Sequence, residues 1–63
     1  MAVFIYTGQP TAGKSTKDIK APNVSGGWTV YSGVTPNVTE INTSDTKEIE
    51  YFQKYSNSFS QQS

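Results

Sequence analysis

The stretch AVFIYT, residues 2–7, decides the fold of this 63-residue chain because it is a compact run of apolar, β-branched and aromatic residues. Gly8 and Pro10 end the run, and a run bounded in this way predicts a β-strand. Its apolar residues do not alternate with polar ones, so both faces of the strand require cover. Two placements stay open. The strand is either the central strand of the chain's own small sheet or a strand that adds to the sheet edge of a neighbouring chain.

The residues after this strand are rich in turn-forming types. Glycine and proline punctuate residues 8–27, which are therefore predicted as a long loop with at most one short helical turn near residues 15–20. A second strand is predicted at residues 28–31 (WTVY), where Trp28 and Val30 lie on one face.

A short third strand is predicted at residues 38–41 (VTEI), and one helix follows it. Residues 46–55 (TKEIEYFQKY) have helical spacing of apolar residues, and Asp45 precedes them as an amino-terminal cap. Glu48 stands where it would complete a capping box. The sequence thus predicts a β-rich α+β fold, with a small two- or three-stranded antiparallel sheet, a long Gly/Pro loop and one carboxy-terminal helix.

The domain is predicted to comprise residues 1–55, followed by a polar tail over residues 56–63. Phe59 is the only apolar residue of that tail and would anchor it. Polar termini are usually disordered unless something holds them, so we expect a partner chain to order this one.

Composition limits how such a chain is stabilised. Only 33% of its residues are apolar, and it has no cysteine and no histidine, which excludes disulfides and makes a structural zinc site very unfavourable. Self-association or contact with other protein chains is the stabilising device that remains. We expect no cofactor and no bound metal.

Charge and hydropathy exclude other partners. Five basic and five acidic residues give a net charge of zero. This argues against a basic surface that would bind nucleic acid or a membrane. No apolar run is long enough to span a membrane, and no basic region precedes the first apolar run as in a secretion signal.

A phosphate-binding motif occurs within GQPTAGKS, where Gly8, Gly13, Lys14 and Ser15 match G-x-x-x-x-G-K-S. Such a loop works when a helix begins inside it and an acidic residue ends a second apolar strand. Pro22 leaves fewer than two turns for that helix, and no apolar run ends in Asp. Phosphate binding is therefore kept only as the weaker alternative.

Catalytic groups are scarce. With no histidine, no cysteine and no G-x-S-x-G, a catalytic site has little to be built from, so an enzyme is not expected. Asp45 is explained as a helix cap, and Glu48 and Glu50 as a solvated helix face.

The layout resembles small virion accessory proteins of tailed bacteriophages, such as those at head–tail junctions or on capsids. The resemblance rests on a short β-rich body without cysteine or histidine, polar Ser/Thr/Asn-rich loops, and an acidic-capped segment at residues 43–55 followed by Phe59. It covers mainly residues 38–59. It implies a structural role inside a multi-subunit assembly, with a virion as the implied location and no chemistry of its own.

The predicted function is accordingly that of a structural subunit or adaptor that completes its fold against neighbouring chains. A small inhibitor or regulatory protein that binds one partner enzyme is the alternative. The residues predicted to contact partners are the following: Val3, Phe4, Ile5, Tyr6, Trp28, Phe52, Tyr55 and Phe59.

Overall fold

The computed structural model describes residues 1–63 and contains five β-strands and one α-helix. In chain order these are β1 (Ala2–Tyr6), β2 (Lys17–Pro22), β3 (Trp28–Val34), β4 (Glu40–Thr43), α1 (Thr46–Lys54) and β5 (Phe59–Gln61). The strands form a three-stranded antiparallel sheet, β4-β1-β5, and a two-stranded antiparallel sheet, β2-β3. The predicted β-rich α+β class with one helix near the carboxyl end is confirmed.

The first strand is the centre of the chain's own sheet. Phe4 of β1 lies opposite Ile41 of β4 on one side and opposite Gln61 of β5 on the other. Ala2, Phe4 and Tyr6 are buried, while the alternate residues of β1 are half-buried on the outer face. Because both edges of β1 are already paired, it is not available to extend a neighbour's sheet.

The predicted long loop over residues 8–27 is wrong in its second half, which contains β2. Ile19 and Ala21 are buried and alternate with exposed residues, the pattern of a strand with one face toward the core. Pro22 is tolerated because β2 has a strand neighbour on one side only, and its missing N–H faces away from β3. No helical turn forms near residues 15–20.

A β-bulge changes the direction of the side chains at the end of β3. Ile19 lies opposite Tyr31 but Lys17 lies opposite Val34, so β3 contains one extra residue over this interval. Gly33 occupies it with φ of 67°, a region that side chains disfavour, and its N–H donates to Asp18 Oδ1 at 3.0 Å. The bulge turns Val34 into the core, where it is fully buried.

The helix begins with half of the predicted capping box. Asp45 Oδ1 accepts from the N–H groups of Lys47 and Glu48 at 3.0 and 3.1 Å, as an amino-terminal cap should. The Glu48 side chain does not return to the Asp45 N–H, which instead donates to Thr43 Oγ1 at 3.1 Å. The prediction of a solvated face at Glu48 is also wrong, since Glu48 is only 4% exposed.

The core lies between the two sheets and α1, and aromatic rings fill its centre. Ring centroids are 5.1 Å apart for Phe4 and Phe52, 4.6 Å for Phe52 and Phe59, and 5.3 Å for Tyr6 and Phe59. The nine buried apolar residues are Ala2, Phe4, Tyr6, Ile19, Ala21, Val34, Ile41, Phe52 and Phe59.

The carboxy-terminal residues belong to this core, so the boundary predicted after residue 55 does not separate a tail from the domain. Phe59 is buried, and β5 pairs with the second edge of β1. The pairing continues to the end of the chain, where the Val3 N–H donates to the Ser63 carbonyl at 3.1 Å. The expectation that a partner chain orders this segment is therefore wrong: β1 of the same chain holds it through backbone hydrogen bonds.

The exposed area gives no sign of a missing neighbour. The accessible surface is 3987 Å², and a folded monomer of 6.9 kDa is expected to expose about 4000 Å². The chain thus closes its own core, and any structural role must depend on its surface.

We expect Phe59→Ala to lower the free energy of unfolding by about 3 kcal/mol or more, because it opens a cavity against Phe52 and Tyr6 and releases β5. Urea denaturation followed by far-UV circular dichroism measures this change. The control Gln62→Ala, at an exposed position of the same segment, should change stability by less than about 0.5 kcal/mol. Equal effects of the two substitutions would show that this segment is not part of the core.

Candidate interaction surface

The β2–β3 hairpin carries the largest exposed aromatic side chain of the protein. Its outer face, defined here by Lys20, Pro22, Trp28 and Val30, points away from the core, as the register of the two strands requires. Trp28 is 57% exposed and Val30 is 56% exposed. Lys20 Nζ lies 4.9 Å from the centroid of the Trp28 ring, a cation–π contact that orients the indole.

The turn of the hairpin is fixed by one side chain. Asn23 Oδ1 accepts from the N–H groups of Ser25 and Gly27 at 3.2 and 3.1 Å, and from the Ser25 hydroxyl at 2.6 Å. Gly26 supplies the positive φ, 93°, that the turn requires. Val24, at the tip, is 62% exposed and donates its N–H to Asp45 Oδ2 at 3.1 Å, which ties the turn to the start of α1.

The inner face of β3 is held by a buried carboxylate. Glu48 of α1 accepts a hydrogen bond from the Thr29 hydroxyl at 2.7 Å and another from the Tyr31 hydroxyl. Thr29 Oγ1 in turn accepts from Asn23 Nδ2 at 3.0 Å, so the network reaches the turn. These contacts fix the hairpin on the helix and present its outer face without a large ordering cost on binding.

Two pKa values are displaced by this arrangement. Burial, followed by the hydrogen bond to Glu48, raises the pKa of Tyr31 from 10.0 to about 12, because ionisation would place two negative charges together. Partial desolvation acts to raise the pKa of Asp45, but backbone N–H groups of Val24, Glu48 and Lys47 stabilise its carboxylate and lower the pKa overall.

The free edge of β3 is the second feature of the hairpin. The sheet contains only β2 and β3, so β3 has a strand neighbour on one side. The Asn23 N–H donates to the Gly27 carbonyl at 3.0 Å, and the ladder alternates from that closing pair. The backbone N–H and C=O groups of Trp28, Val30 and Ser32 therefore point to the open edge.

The eight residues predicted to contact partners divide into two sets. Phe4, Tyr6, Phe52 and Phe59 are core residues, so the prediction is wrong for these four: they stabilise the fold and are not presented to a partner. Val3 and Ile5 are half-buried on the outer face of the three-stranded sheet, and Trp28 and Tyr55 are exposed. Sequence reasoning placed Val30 on the face of Trp28, which the structure confirms, but did not include it among the contact residues.

The two glycines of the phosphate-binding motif have structural roles. A Cβ atom at Gly8 would collide with the ring of Tyr6, whose hydroxyl donates to the Gln9 carbonyl at 2.9 Å. Gly13 has φ of 79° in an exposed turn, where the Lys14 N–H donates to the Thr11 carbonyl at 2.9 Å.

The chain continues from this turn into a strand. Lys14 and Ser15 are exposed, and β2 begins at Lys17, so no helix amino terminus points at the loop. The arrangement that lets such a motif hold phosphate is therefore not formed at Gly8, Gly13, Lys14 and Ser15.

Comparison with known proteins adds no relative: no protein-family model, no curated protein and no solved structure matches this chain. The chain has no group of three or more His, Cys, Asp or Glu side chains placed as a metal site would need. Its helix is too short and too polar to cross a membrane.

We expect stability to fall between pH 10 and about 12 through the ionisation of Tyr31. Unfolded Tyr31 releases its proton near pH 10.0, whereas folded Tyr31 retains it until about 12. Its contribution is thus fully present below pH 10 and is lost as the pH rises through about 12.

Urea denaturation across this range, compared between the native sequence and Tyr31→Phe, measures the effect. The slope of stability against pH should be shallower in Tyr31→Phe and unchanged in Tyr55→Phe, which alters an exposed tyrosine. An equally steep fall in Tyr31→Phe would contradict the assignment.

Proposed function

We propose that this protein is a structural subunit of a multi-subunit assembly, without chemistry of its own, and that it docks through β3. The observation that carries the proposal is the unprotected edge of that strand. All seven residues of β3, WTVYSGV, are uncharged, and none is proline. In natural proteins, edge strands that do not pair with other chains are usually protected by charged residues, proline or a covering element. β3 has only a bulge near its carboxyl end.

The neighbouring strand provides the contrast. β2 carries Lys17, Asp18 and Lys20 on six residues and ends in Pro22. One edge of the hairpin is thus charged and the other is neutral, although both belong to the same two-stranded sheet. This asymmetry favours β3 as the edge that pairs.

Exposed side chains would add energy to such a pairing. Trp28 and Val30 stand on the outer face at the same edge, and tryptophan is among the residues that contribute most to interfaces. Burying them removes apolar surface from water, at roughly 25 cal/mol for each Å².

The partner we propose is a second copy of the chain, with β3 pairing antiparallel to itself about Val30. Such a contact is two-fold symmetric, so each chain offers the same surface to the other. Val30 then faces Val30 of the second copy, and Trp28 faces Ser32. All three residues direct backbone hydrogen-bonding groups to the open edge, and no like charges oppose each other.

The resemblance to virion accessory proteins supports a repeating assembly as the setting, and a virion is part of this proposal. The proposal does not include completion of the fold by neighbouring chains, because the core is closed within one chain. The alternative is a small inhibitor or regulatory protein that uses the same surface as a monomer to bind one partner enzyme. A phosphate-binding role is not carried further, because β2 follows the loop in place of a helix.

Light scattering over a dilution series tests the proposal, with emission from Trp28, the only tryptophan, as a second readout. We expect the mass to rise from 6.9 kDa toward twice that value with concentration, while the emission shifts to shorter wavelength. Val30→Lys should weaken dimerisation by at least about tenfold, because it places two ammonium groups opposite each other.

The matched control is Val38→Lys, at a valine that is 69% exposed in the turn between β3 and β4. It should dimerise like the native sequence, and circular dichroism should show that both variants fold. A native chain that stays at 6.9 kDa at every concentration would overturn self-pairing and favour the inhibitor alternative.

A further inference from the structure

A second surface lies at the opposite edge of the hairpin, along the junction of β2 and α1. We call it the β2–α1 groove. It consists of two adjoining clefts, of about 330 and 190 Å³, which share Tyr51. The larger is lined by Tyr6, Lys17, Asp18, Ile19, Lys20, Tyr51, Tyr55, Ser58 and Phe59. The smaller is lined by Pro22, Lys47, Glu50, Tyr51 and Lys54.

The groove is positively charged although the chain as a whole has no net charge. Four of the five lysines line it, against two acidic residues, Asp18 and Glu50. The other three acidic side chains lie elsewhere. Glu48 is buried and accepts a hydrogen bond from the Thr29 hydroxyl, Asp45 accepts hydrogen bonds from backbone N–H groups, and Glu40 lies on β4. The groove therefore has a net positive charge that an acidic partner complements.

Its floor is apolar and aromatic. Ile19 and Phe59 are buried beneath the larger cleft, and the rings of Tyr51 and Tyr55 stand along its wall with centroids 4.8 Å apart. Apolar side chains that enter between these rings and the lysine stems would be removed from water. A ligand for this groove thus needs apolar groups as well as negative charge.

The groove opens on the edge of β2. Side chains alternate between the two faces of a strand, yet four consecutive residues, 17–20, line the larger cleft. A cavity bordered by both faces lies beside the backbone, where Lys20 directs its N–H and C=O groups away from β3. An extended chain can therefore lie along this edge, up to Pro22.

From these features we propose that the β2–α1 groove binds an extended acidic segment of a partner protein, in which carboxylates alternate with apolar side chains. The carboxylates pair with the lysines, and the apolar side chains contact Tyr51 and Tyr55. Asp18 and Glu50 reduce the positive charge among the lining residues, which disfavours a continuous polyanion such as a nucleic acid. This site shares Lys20 and Pro22 with the outer face of the hairpin but lies at the β2 edge, opposite the β3 edge, and does not depend on self-pairing.

Fluorescence anisotropy with a labelled peptide that alternates Glu with Leu tests the proposal. We expect saturable binding that weakens as salt is raised. A peptide alternating Lys with Leu, a peptide of Glu alone and a single-stranded DNA oligonucleotide should each bind at least about tenfold more weakly. Tighter binding of the oligonucleotide would overturn the proposal in favour of a nucleic-acid site.

Charge reversal within the groove supplies the matched comparison. Lys54→Glu, a single charge reversal within the groove, should lose at least about tenfold in affinity for the Glu/Leu peptide. Lys14→Glu reverses the one lysine outside the groove and should stay within about twofold of the native sequence. Equal losses in the two variants would show attraction to overall charge and would overturn the assigned site.

The same assay on Val30→Lys separates this inference from the proposed function. Binding of the Glu/Leu peptide by Val30→Lys should be at least as tight as binding by the native sequence, whether or not the native chain dimerises, because the added ammonium group lies opposite Lys20. Dimerisation without peptide binding overturns the groove alone, and peptide binding by a chain that is always monomeric overturns the self-pairing alone.

Discussion

The side chain of Phe52 is the contact on which the rest of the structure depends. It is fully buried, and its ring lies 5.1 Å from Phe4 of β1, 4.6 Å from Phe59 of β5 and 6.2 Å from Tyr31 of β3. A two-stranded ribbon is marginal in water on its own, and a three-stranded sheet needs a covered face. Phe52 gives both sheets that cover from a single helix. Glu48, one turn earlier on the same side of α1, adds hydrogen bonds to β3.

In this fold the two open edges of the hairpin differ in charge: β2 carries charged residues and β3 carries none. The three-stranded sheet uses both edges of β1 internally, whereas the two-stranded sheet pairs β2 and β3 only with each other. The edge of β3 carries no charged residue and no proline, which suits the proposed pairing with an identical strand. The edge of β2 carries Lys17, Asp18 and Lys20, and the groove proposed for an acidic segment lies beside it. Under the two proposals, one edge of the hairpin would pair with a second copy of the chain and the other would bind a different protein, as an adaptor requires.

Sequence patterns were sufficient where a segment carries its own signal. The apolar run of β1 and the Asp45 cap of α1 locate those elements to within a residue or so, and the alternation in WTVY places Trp28 and Val30 together. β2 and β5 are polar segments that become strands through their pairing with β3 and β1, which no local pattern contains. The open edge of β3 is equally invisible in sequence, because it depends on which strand is absent beside it. Burial of Glu48 did have a signal, its spacing of four residues from Phe52.

The hydrogen bonds between Val3 and the last two residues bring the two ends of the chain to one corner of the three-stranded sheet. The Gln62 N–H donates to the Val3 carbonyl at 2.7 Å, and the Val3 N–H donates to the Ser63 carbonyl at 3.1 Å. A polypeptide that enters and leaves a domain at one point can be spliced into a surface loop of another protein without stretching that loop. The same proximity permits the ends to be joined and new ends to be opened in the exposed turn at residues 11–15.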